Sequence, residues 1–534
     1  MKKLKALLAA CMAVTMLVGC GGGSGSGDMT FVYTIESPAS SLDSTVATDG
    51  SSFDCMAQFQ QGLLSKDLDG NLVKELAEDY TVSDDGLVYT FKIRKDAKWS
   101  NDDDVTANDF VYAWQRILKN AGEYAYMFGS SGANILNGQE LSDGTLTDVT
   151  QLGAKALDDK TLEVTLASPC GYFLDLMNFP IFYPQNEKFI NEVGEDKYAT
   201  SADTLVSCGP FVVTEYVPGN NKVIYDKNDK YWNADEVELT GLEIDMAVKS
   251  DSATMGFENG DYDFVNIGYE MVDKYKDNDA YYSYPAGYQY YIATNFHNEA
   301  VQNINIRKAI SYAINREDIA KNVLKDGSVA SVALDPQGLS INDGKDFTDG
   351  MDYLHYDMTE AQKYLDQGLK ELGKDSIELE LLYGNDEAPC DALAKYVLDA
   401  LGKLNGLTIT PKTESKTSRL EDMRQDNFTL AVTRWGPDFA DPMTYLGLFE
   451  ATANQSNTNY SNDAFQAKLA QINAETDVNT RWNLMKEAEK ILMEDYACAP
   501  MIVKAGVALM NPDYTGIGKY PTGPVCFKYV TKAK

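Results

Sequence analysis

The first 28 residues of this 534-residue chain read as a short apolar leader followed by a tether, and that places the expected start of the folded body near residue 29. Lys2, Lys3 and Lys5 form a positive head, and an apolar run follows from Ala6 to Val18. The run is too short for a permanent bilayer span, which takes about 20 residues. Gly21 to Gly27 contain only glycine and serine, a flexible tether with nothing to bury and a root-mean-square span of about 15 Å. No later apolar stretch is long enough to span, so the rest is read as a water-facing body. At 44% hydrophobic residues it can supply cores for two or three domains.

The head and apolar run have the layout of a cleavable export signal over residues 1–19. Leu17-Val18-Gly19-Cys20 resembles the lipobox of bacterial lipoproteins, which implies that Cys20 becomes the mature N-terminus, carries a lipid, and opens a tether over residues 20–28. The formal net charge is −35, and loss of the three leader lysines makes the exported chain more negative still. Such a body repels nucleic acid and anionic headgroups, so the lipid rather than charge is expected to hold it at a membrane. Six cysteines remain beyond Cys20, widely spaced and without a CxxC pair, so neither a zinc site nor a dense disulfide framework is indicated. Whether any of them pair is left open. Two histidines, His297 and His355, argue against a transition-metal centre and a histidine-based triad.

Two hairpins are predicted early. Tyr80 to Val82 and Leu87 to Ile93 flank Ser83-Asp84-Asp85-Gly86, and Asp158-Asp159 separates two strands within Gln151 to Ala167. Between them Thr106-Ala107-Asn108-Asp109 reads as a capping box, opening a helix whose apolar face is Phe110, Ala113, Trp114 and Ile117. Later the pattern changes to alternating helices and strands. Ile306, Ala309, Ile310, Ala313 and Ile314 have helical spacing, Ile377, Leu379 and Leu381 alternate, a helix is expected over Ala388 to Leu404, and strands at Leu407 to Thr410 and Phe428 to Val432. This order predicts a mostly parallel sheet covered by helices.

Carboxylate clusters are frequent among 81 acidic residues and carry little by themselves. Asp102-Asp103-Asp104 precedes a helix start, where the dipole alone favours negative charge. Asp67 to Asn71 resembles the start of a calcium loop but lacks the later ligands, so a hairpin turn is expected. No nucleophile stands with a plausible base and no phosphate-cradling glycine loop is present, so no catalytic residues and no cofactor are predicted. A two-carboxylate glycosidase stays open. Tyrosine is abundant, with 33 copies and a cluster from Tyr281 to Tyr291, a residue suited to clefts for varied ligands.

Several segments, in order, resemble the oligopeptide- and dipeptide-binding proteins of bacterial ABC importers, the extracellular solute-binding protein family 5. They are Leu76-Ala77-Glu78, Val82 to Phe91, Ala97-Lys98-Trp99-Ser100, Val105 to Tyr112, Lys155 to Thr161, Cys208-Gly209-Pro210-Phe211, Tyr231-Trp232, Arg307 to Ile310, and Trp435-Gly436-Pro437-Asp438-Phe439-Ala440-Asp441-Pro442. The resemblance implies a bilobed α/β fold of the periplasmic-binding-protein type (type II, cluster C) with an extra domain. Lobe 1 would comprise residues 29–62, 184–287 and 505–534, the extra domain 63–183, and lobe 2 288–504. It further implies a peptide lying between the lobes by strand addition, with its α-ammonium on Asp438. Arg434 and Gly436 would pair with ligand backbone, Trp435, Tyr290 and Tyr291 would wall the cleft beside Phe439, and Thr48 and Gly50 would face the ligand from lobe 1. The implied partners are a peptide, the ABC permease subunits and the lipid anchor, with the protein itself a monomer holding no metal. Two departures stand out: Ser44 replaces the usual proline after Asp43, and Val432 stands where some oligopeptide binders have arginine. The same fold with an oligosaccharide ligand, an anchored extracellular hydrolase and a chaperone-like surface lipoprotein are the rival readings.

Overall fold

The computed structural model describes residues 29–130, 132–342, 344–451 and 454–533; the leader, Cys20 and the whole tether over residues 20–28 lie outside them. Ten strands make up most of one mixed sheet: β1 (Thr30–Ile35), β2 (Phe211–Tyr216), β3 (Lys222–Lys227), β4 (Gly241–Met246), β5 (Phe264–Asn266), β6 (Tyr281–Thr294), β7 (Ile377–Gly384), β8 (Leu407–Glu414), β9 (Leu430–Trp435) and β10 (Cys498–Met510). Their order across the sheet is β8-β7-β9-β6-β10-β5-β1-β4-β3-β2, and the short strand Val329–Ala330 also pairs with β10.

The two longest strands, β6 and β10, run antiparallel through both halves of this sheet. Tyr281 to Pro285 pair with Ala505 to Leu509 on the side of β5, and Gln289 to Ala293 pair with Cys498 to Val503 on the side of β9. Between them the register breaks around Gly287, whose φ is +71°. A Cβ at Gly287 would lie 2.9 Å from Pro521 and 3.1 Å from Pro437, so both the backbone and the space demand glycine there. The break divides the sheet into two halves with separate cores, which is the bilobed α/β arrangement. In the second half Tyr290, Ile292, Leu379 and Val432 pack on one face, while Tyr291, Ala293, Leu382 and Ala431 pack on the other. Neighbouring strand residues point to opposite faces, so both faces of this half are covered.

The expected mostly parallel sheet is not what forms. Parallel pairing is confined to β7 with β8 and β9, and β1 with β4 and β5; the remaining ladders of the sheet are antiparallel. Two strands crossing between the halves in opposite directions impose antiparallel pairing at the centre, which a local βαβ pattern does not reveal.

A separate four-stranded antiparallel sheet is built from the two predicted hairpins, Ala77–Val82 with Val88–Ile93 and Ala154–Asp158 with Thr161–Thr165. Gly86 closes the first turn at φ +68°, donating its N–H to Ser83 O at 2.9 Å. Helix Ala107–Lys119 packs on this sheet, its capping box formed by Thr106 Oγ1 accepting from the Asp109 N–H and the Thr106 N–H donating to Asp109 Oδ2. Phe110, Ala113, Trp114 and Ile117 are all fully buried on it. Asp103 pairs with Lys188 and Asp104 with Lys98, while Asp67 Oδ1 accepts the N–H groups of Asp69 and Asn71 in a tight turn. The six cysteines from Cys55 to Cys526 are free thiols, and all but Cys526 are buried. Among the described residues no helix is long and apolar enough to cross a membrane.

Candidate functional site

Strand β9 ends at Trp435, and the chain then leaves the sheet as a loop that crosses towards the hairpin-rich region. Phe439 stacks face to face on Tyr172, with ring centroids 3.8 Å apart and planes 1° from parallel. The Ala440 N–H donates to Asp175 Oδ2 at 3.1 Å, and Asp441 takes a bidentate ion pair from Arg481 at 2.6 and 2.9 Å. The loop is thus fastened immediately after Asp438, whose own N–H donates to Thr444 Oγ1 at 3.0 Å.

The Asp438 side chain differs from those neighbours. Neither a hydrogen bond nor a cation engages its carboxylate among the described residues. The residue keeps part of its surface, as expected at the edge of a cavity, yet protein atoms crowd the carboxyl from every side. Burial alone pushes its pKa up to about 7. The phenols of Tyr124 and Tyr126 lie close enough to feel its charge, and their rings lie 6.0 Å apart in a stacked pair. Burial, followed by the Asp438 charge, pushes the Tyr124 phenol up to about 12. A partly ionised carboxylate without a counter-charge, next to neutral phenols, is a site for a cationic donor.

A cavity of about 290 Å³ adjoins this loop, lined by Gly50, Phe53, Phe179, Tyr288, Gly436 and Pro437 among others. Gly50 is the first residue of helix Gly50–Phe59, which is capped by Asp49 accepting the Ser52 N–H at 2.8 Å. Gly436 lets the Tyr288 ring approach: a Cβ on Gly436 would lie 2.3 Å from it. Arg434 lies over that ring, 4.2 Å from its centroid, and donates through Nε to Glu387 Oε1 at 2.6 Å; Arg419 holds Glu387 Oε2 at 3.0 Å. Burial opposes ionisation of Glu387, but the charges of Arg434 and Arg419 outweigh it and hold the carboxyl below its usual range. Arg434 therefore already has an internal counter-ion.

The other expected residues are not all gathered here. Trp435 is half-buried, with its indole N–H buried and without an acceptor among the described residues. Tyr290 and Tyr291 are consecutive on β6 and point to opposite faces, each 3% exposed. Tyr290 reaches Ala388 O at 3.4 Å near Arg434, whereas Tyr291 packs in the core beside Ala293 and Leu382. Thr48 is exposed and hydrogen-bonds to Ser40, so only Gly50 of the early loop reaches the cavity. Asp43, the residue before the departure at Ser44, is buried against Arg116 at 2.8 Å. Tyr124, Tyr126 and Tyr172 were not singled out from the sequence. The aromatic run Tyr124-Ala125-Tyr126-Met127-Phe128, which follows no strand or helix period, is the signal that marks two of them.

A larger groove of about 580 Å³ lies between residues 82–89 and 475–485. Its central charges, Arg481 and Asp441, satisfy each other, and it contains none of the expected ligand residues. The smaller cavity, lined by Gly436 and Pro437 next in the chain to a carboxylate without a partner, is the better candidate.

Comparison with known proteins agrees with this architecture. A family model described as "Bacterial extracellular solute-binding proteins, family 5 Middle" matches residues 71–457. The dipeptide-binding protein of Lactococcus lactis is 32% identical over 95% of each chain, and the oligopeptide-binding protein OppA of Bacillus subtilis is 30% identical over 99% of each. Among solved structures, the peptide-bound OppA of Listeria monocytogenes superposes with a TM-score of 0.77 at 34% identity, covering 95% of this chain and all of that one. The chain belongs to the bacterial extracellular solute-binding proteins of family 5.

Proposed function

We propose that this protein captures peptides outside the cytoplasmic membrane, tethered through a lipid on Cys20, and delivers them to the permease of an ABC importer. The observation that carries this reading is the Asp438 carboxylate, desolvated beside a cavity and without a partner among the described residues. The α-ammonium of a peptide supplies the charge and donors this group lacks. The names of the relatives, a dipeptide-binding protein, an oligopeptide-binding protein and an OppA bound to peptide, support the same ligand class. Nothing in this role requires a bond to be made or broken. Capture is hinge closure, with β6 and β10 flexing at the register break around Gly287 and the Trp435–Pro442 loop coming to rest on Tyr172 and Asp175. The lobes and extra domain are assigned to residues 29–62, 184–287 and 505–534, to 288–504, and to 63–183. The permease supplies the second partner, and the protein acts as a monomer.

The test is native mass spectrometry of residues 29–534 purified without a leader. A heterogeneous set of short peptides released from the wild type, with occupancy lost in Asp438→Ala, is the expected result. A single non-peptide mass, or occupancy unchanged in Asp438→Ala, refutes the assignment. Membrane fractionation of the full-length chain and of Cys20→Ala tests the anchor, which predicts that only the variant is released.

A further inference from the structure

Away from the cleft, two carboxylates deep in the second half of the molecule lack any counter-charge. Asp335 follows the short strand Val329–Ala330, and Glu489 stands on helix Val478–Glu494. They are 1% and 0% exposed. Glu489 Oε1 accepts the Leu334 N–H at 2.6 Å, which brings Asp335 beside it, close enough for each charge to oppose the other. Glu489 Oε2 and both carboxylate oxygens of Asp335 have no hydrogen-bond partner among the described residues. No lysine or arginine of those residues forms an ion pair with either group.

The groups around them are already engaged. Asp441 belongs to Arg481, at 2.6 and 2.9 Å. Asp346, whose charge reaches Asp335, accepts the N–H groups of Thr348 and Gly338 at 2.8 and 2.6 Å. Tyr445 also feels Asp335, but its hydroxyl donates to Gly287 O at 2.8 Å. Tyr353 and Cys498, which feel Glu489, are neutral. One further group, not acidic, points to a ligand. Ser340 is 1% exposed; its hydroxyl lies near enough to Asp335 to favour the carboxylate, yet its Oγ meets hydrogen-bond geometry with no described residue.

Buried charges are paired or coordinate metals. Burial, then the charges of Glu489 and Asp441, hold the Asp335 carboxyl well above its usual range. A neutral hydrogen-bond donor would satisfy the oxygens and leave two negative charges, whereas a divalent cation answers both needs. We propose that Asp335, Glu489 and Ser340 bind one hard divalent cation of the calcium class, with main-chain carbonyls and water completing its shell. Among the described residues no three acidic, histidine or cysteine side chains gather around a metal position, so the serine hydroxyl is the third side-chain ligand. An all-oxygen donor set disfavours zinc and copper. None of the three residues lines the 290 Å³ cavity. The site lies behind Tyr445 and Asp441, which fasten Gly287 and the Trp435–Pro442 loop, so the ion braces the base of that loop. Such an ion serves the fold whatever ligand the cleft takes.

The test dialyses purified protein against EDTA and titrates it with calcium chloride at pH 8, read by calorimetry and by thermal unfolding. Wild type is expected to take up one ion per chain above the weak background of exposed carboxylates. At about a hundredfold excess over Kd it should melt about 5 °C or more higher than in EDTA. Asp335→Asn and Glu489→Gln should each lose that ion, and Ser340→Ala should weaken its binding without abolishing it. In EDTA the Asn and Gln variants should melt no lower than wild type, since each removes an unpaired buried charge; that result shows both to be folded and confines the loss to the metal. With calcium the order reverses. No saturable uptake by wild type, or the same uptake and melting shift in Asp335→Asn and Glu489→Gln, overturns the proposal. Stabilisation of wild type by acid and not by calcium identifies a proton shared between the carboxylates and overturns it as well.

Discussion

Asp438 predicts an affinity that depends on pH in a defined direction. Its carboxyl titrates at about 7 in the unliganded cleft, against 3.8 for an unperturbed aspartate, because burial removes the water that would stabilise the charge. A peptide ammonium binds the ionised form. At pH 5 only about one molecule in a hundred is ionised, against half at pH 7, so affinity is expected to rise about fiftyfold between them. That rise corresponds to about 2.3 kcal/mol. Above about pH 8 the α-amino group of a peptide, whose pKa is near 7.7–8.0, loses its proton and affinity declines again. Isothermal titration with one tripeptide between pH 5 and 9 should therefore trace a bell. Asp438→Asn should bind at least a hundredfold more weakly at pH 7.5, since breaking a buried pair costs about 3–5 kcal/mol, and should lose the acid limb. An acid limb that survives in Asp438→Asn, or a flat wild-type profile between pH 5 and 7, would refute the assignment of the ammonium to this residue.

The same shift has a consequence for stability, with the opposite sign to that of a salt-bridged carboxylate. Below about pH 3 the group is protonated both folded and unfolded and has no effect. As pH rises towards 7 the unfolded chain releases the proton first, so the folded protein loses up to about 4 kcal/mol. Urea denaturation of ligand-free protein should find Asp438→Asn more stable than wild type at pH 8 and close to it at pH 3. Other buried acids titrate in the same direction, and the difference between the two proteins isolates this one.

Glu489 is fully buried, and burial pushes it up to about 7 although its Oε1 accepts the Leu334 N–H at 2.6 Å. Glu489→Gln keeps an acceptor and should gain about 2–3 kcal/mol at pH 8 and little at pH 4; a loss at pH 8 contradicts the reasoning. Phe439→Ala removes the stack on Tyr172, worth about 0.5–1.5 kcal/mol beyond its burial. Loss of the stack alone should weaken peptide affinity about 2- to 13-fold, and unchanged affinity rules out a closure role. Gly436→Ala places a Cβ where Tyr288 now lies, a strain of about 1–3 kcal/mol. Tyr288→Ala should restore ligand binding to Gly436→Ala; failure of that rescue means the glycine serves another need.

Local periodicity carried much of the fold. Both early hairpins, the capping box at Thr106 and the strand at Ile377 stand where their patterns place them, because each is decided within a few residues. Boundaries moved where neighbours decide. The helix expected to reach Ile314 ends at Tyr312, with Ala313 and Ile314 buried beyond it, and the strand expected from Phe428 begins at Leu430 and runs on to Trp435. The sheet was misread because pairing direction depends on β6 and β10, which meet across about 200 residues of sequence. The cleft was legible only in part for the same reason. The Trp435–Pro442 motif pointed to Asp438, but alternation along β6 does not say which of Tyr290 and Tyr291 meets the cleft. Nor does any periodic pattern bring Tyr172 to the site, since it is placed by contacts between distant segments.

The adjacency of Asp438 and Phe439 joins binding to closure. Phe439 and Ala440 reach Tyr172 and Asp175 only when the loop lies against the hairpin-rich region, and those contacts crowd the Asp438 carboxyl out of water. An empty closed cleft therefore bears the desolvation of Asp438, about 4 kcal/mol, which exceeds the roughly 0.5–1.5 kcal/mol that the Phe439 stack contributes. A bound ammonium removes that penalty without altering the stack. A differential of about 4 kcal/mol moves a two-state equilibrium by close to a thousandfold. One carboxylate placed beside the closing contact is thus sufficient to make the closed form depend on ligand, and in Asp438→Asn the empty protein should close more readily while binding peptide less well.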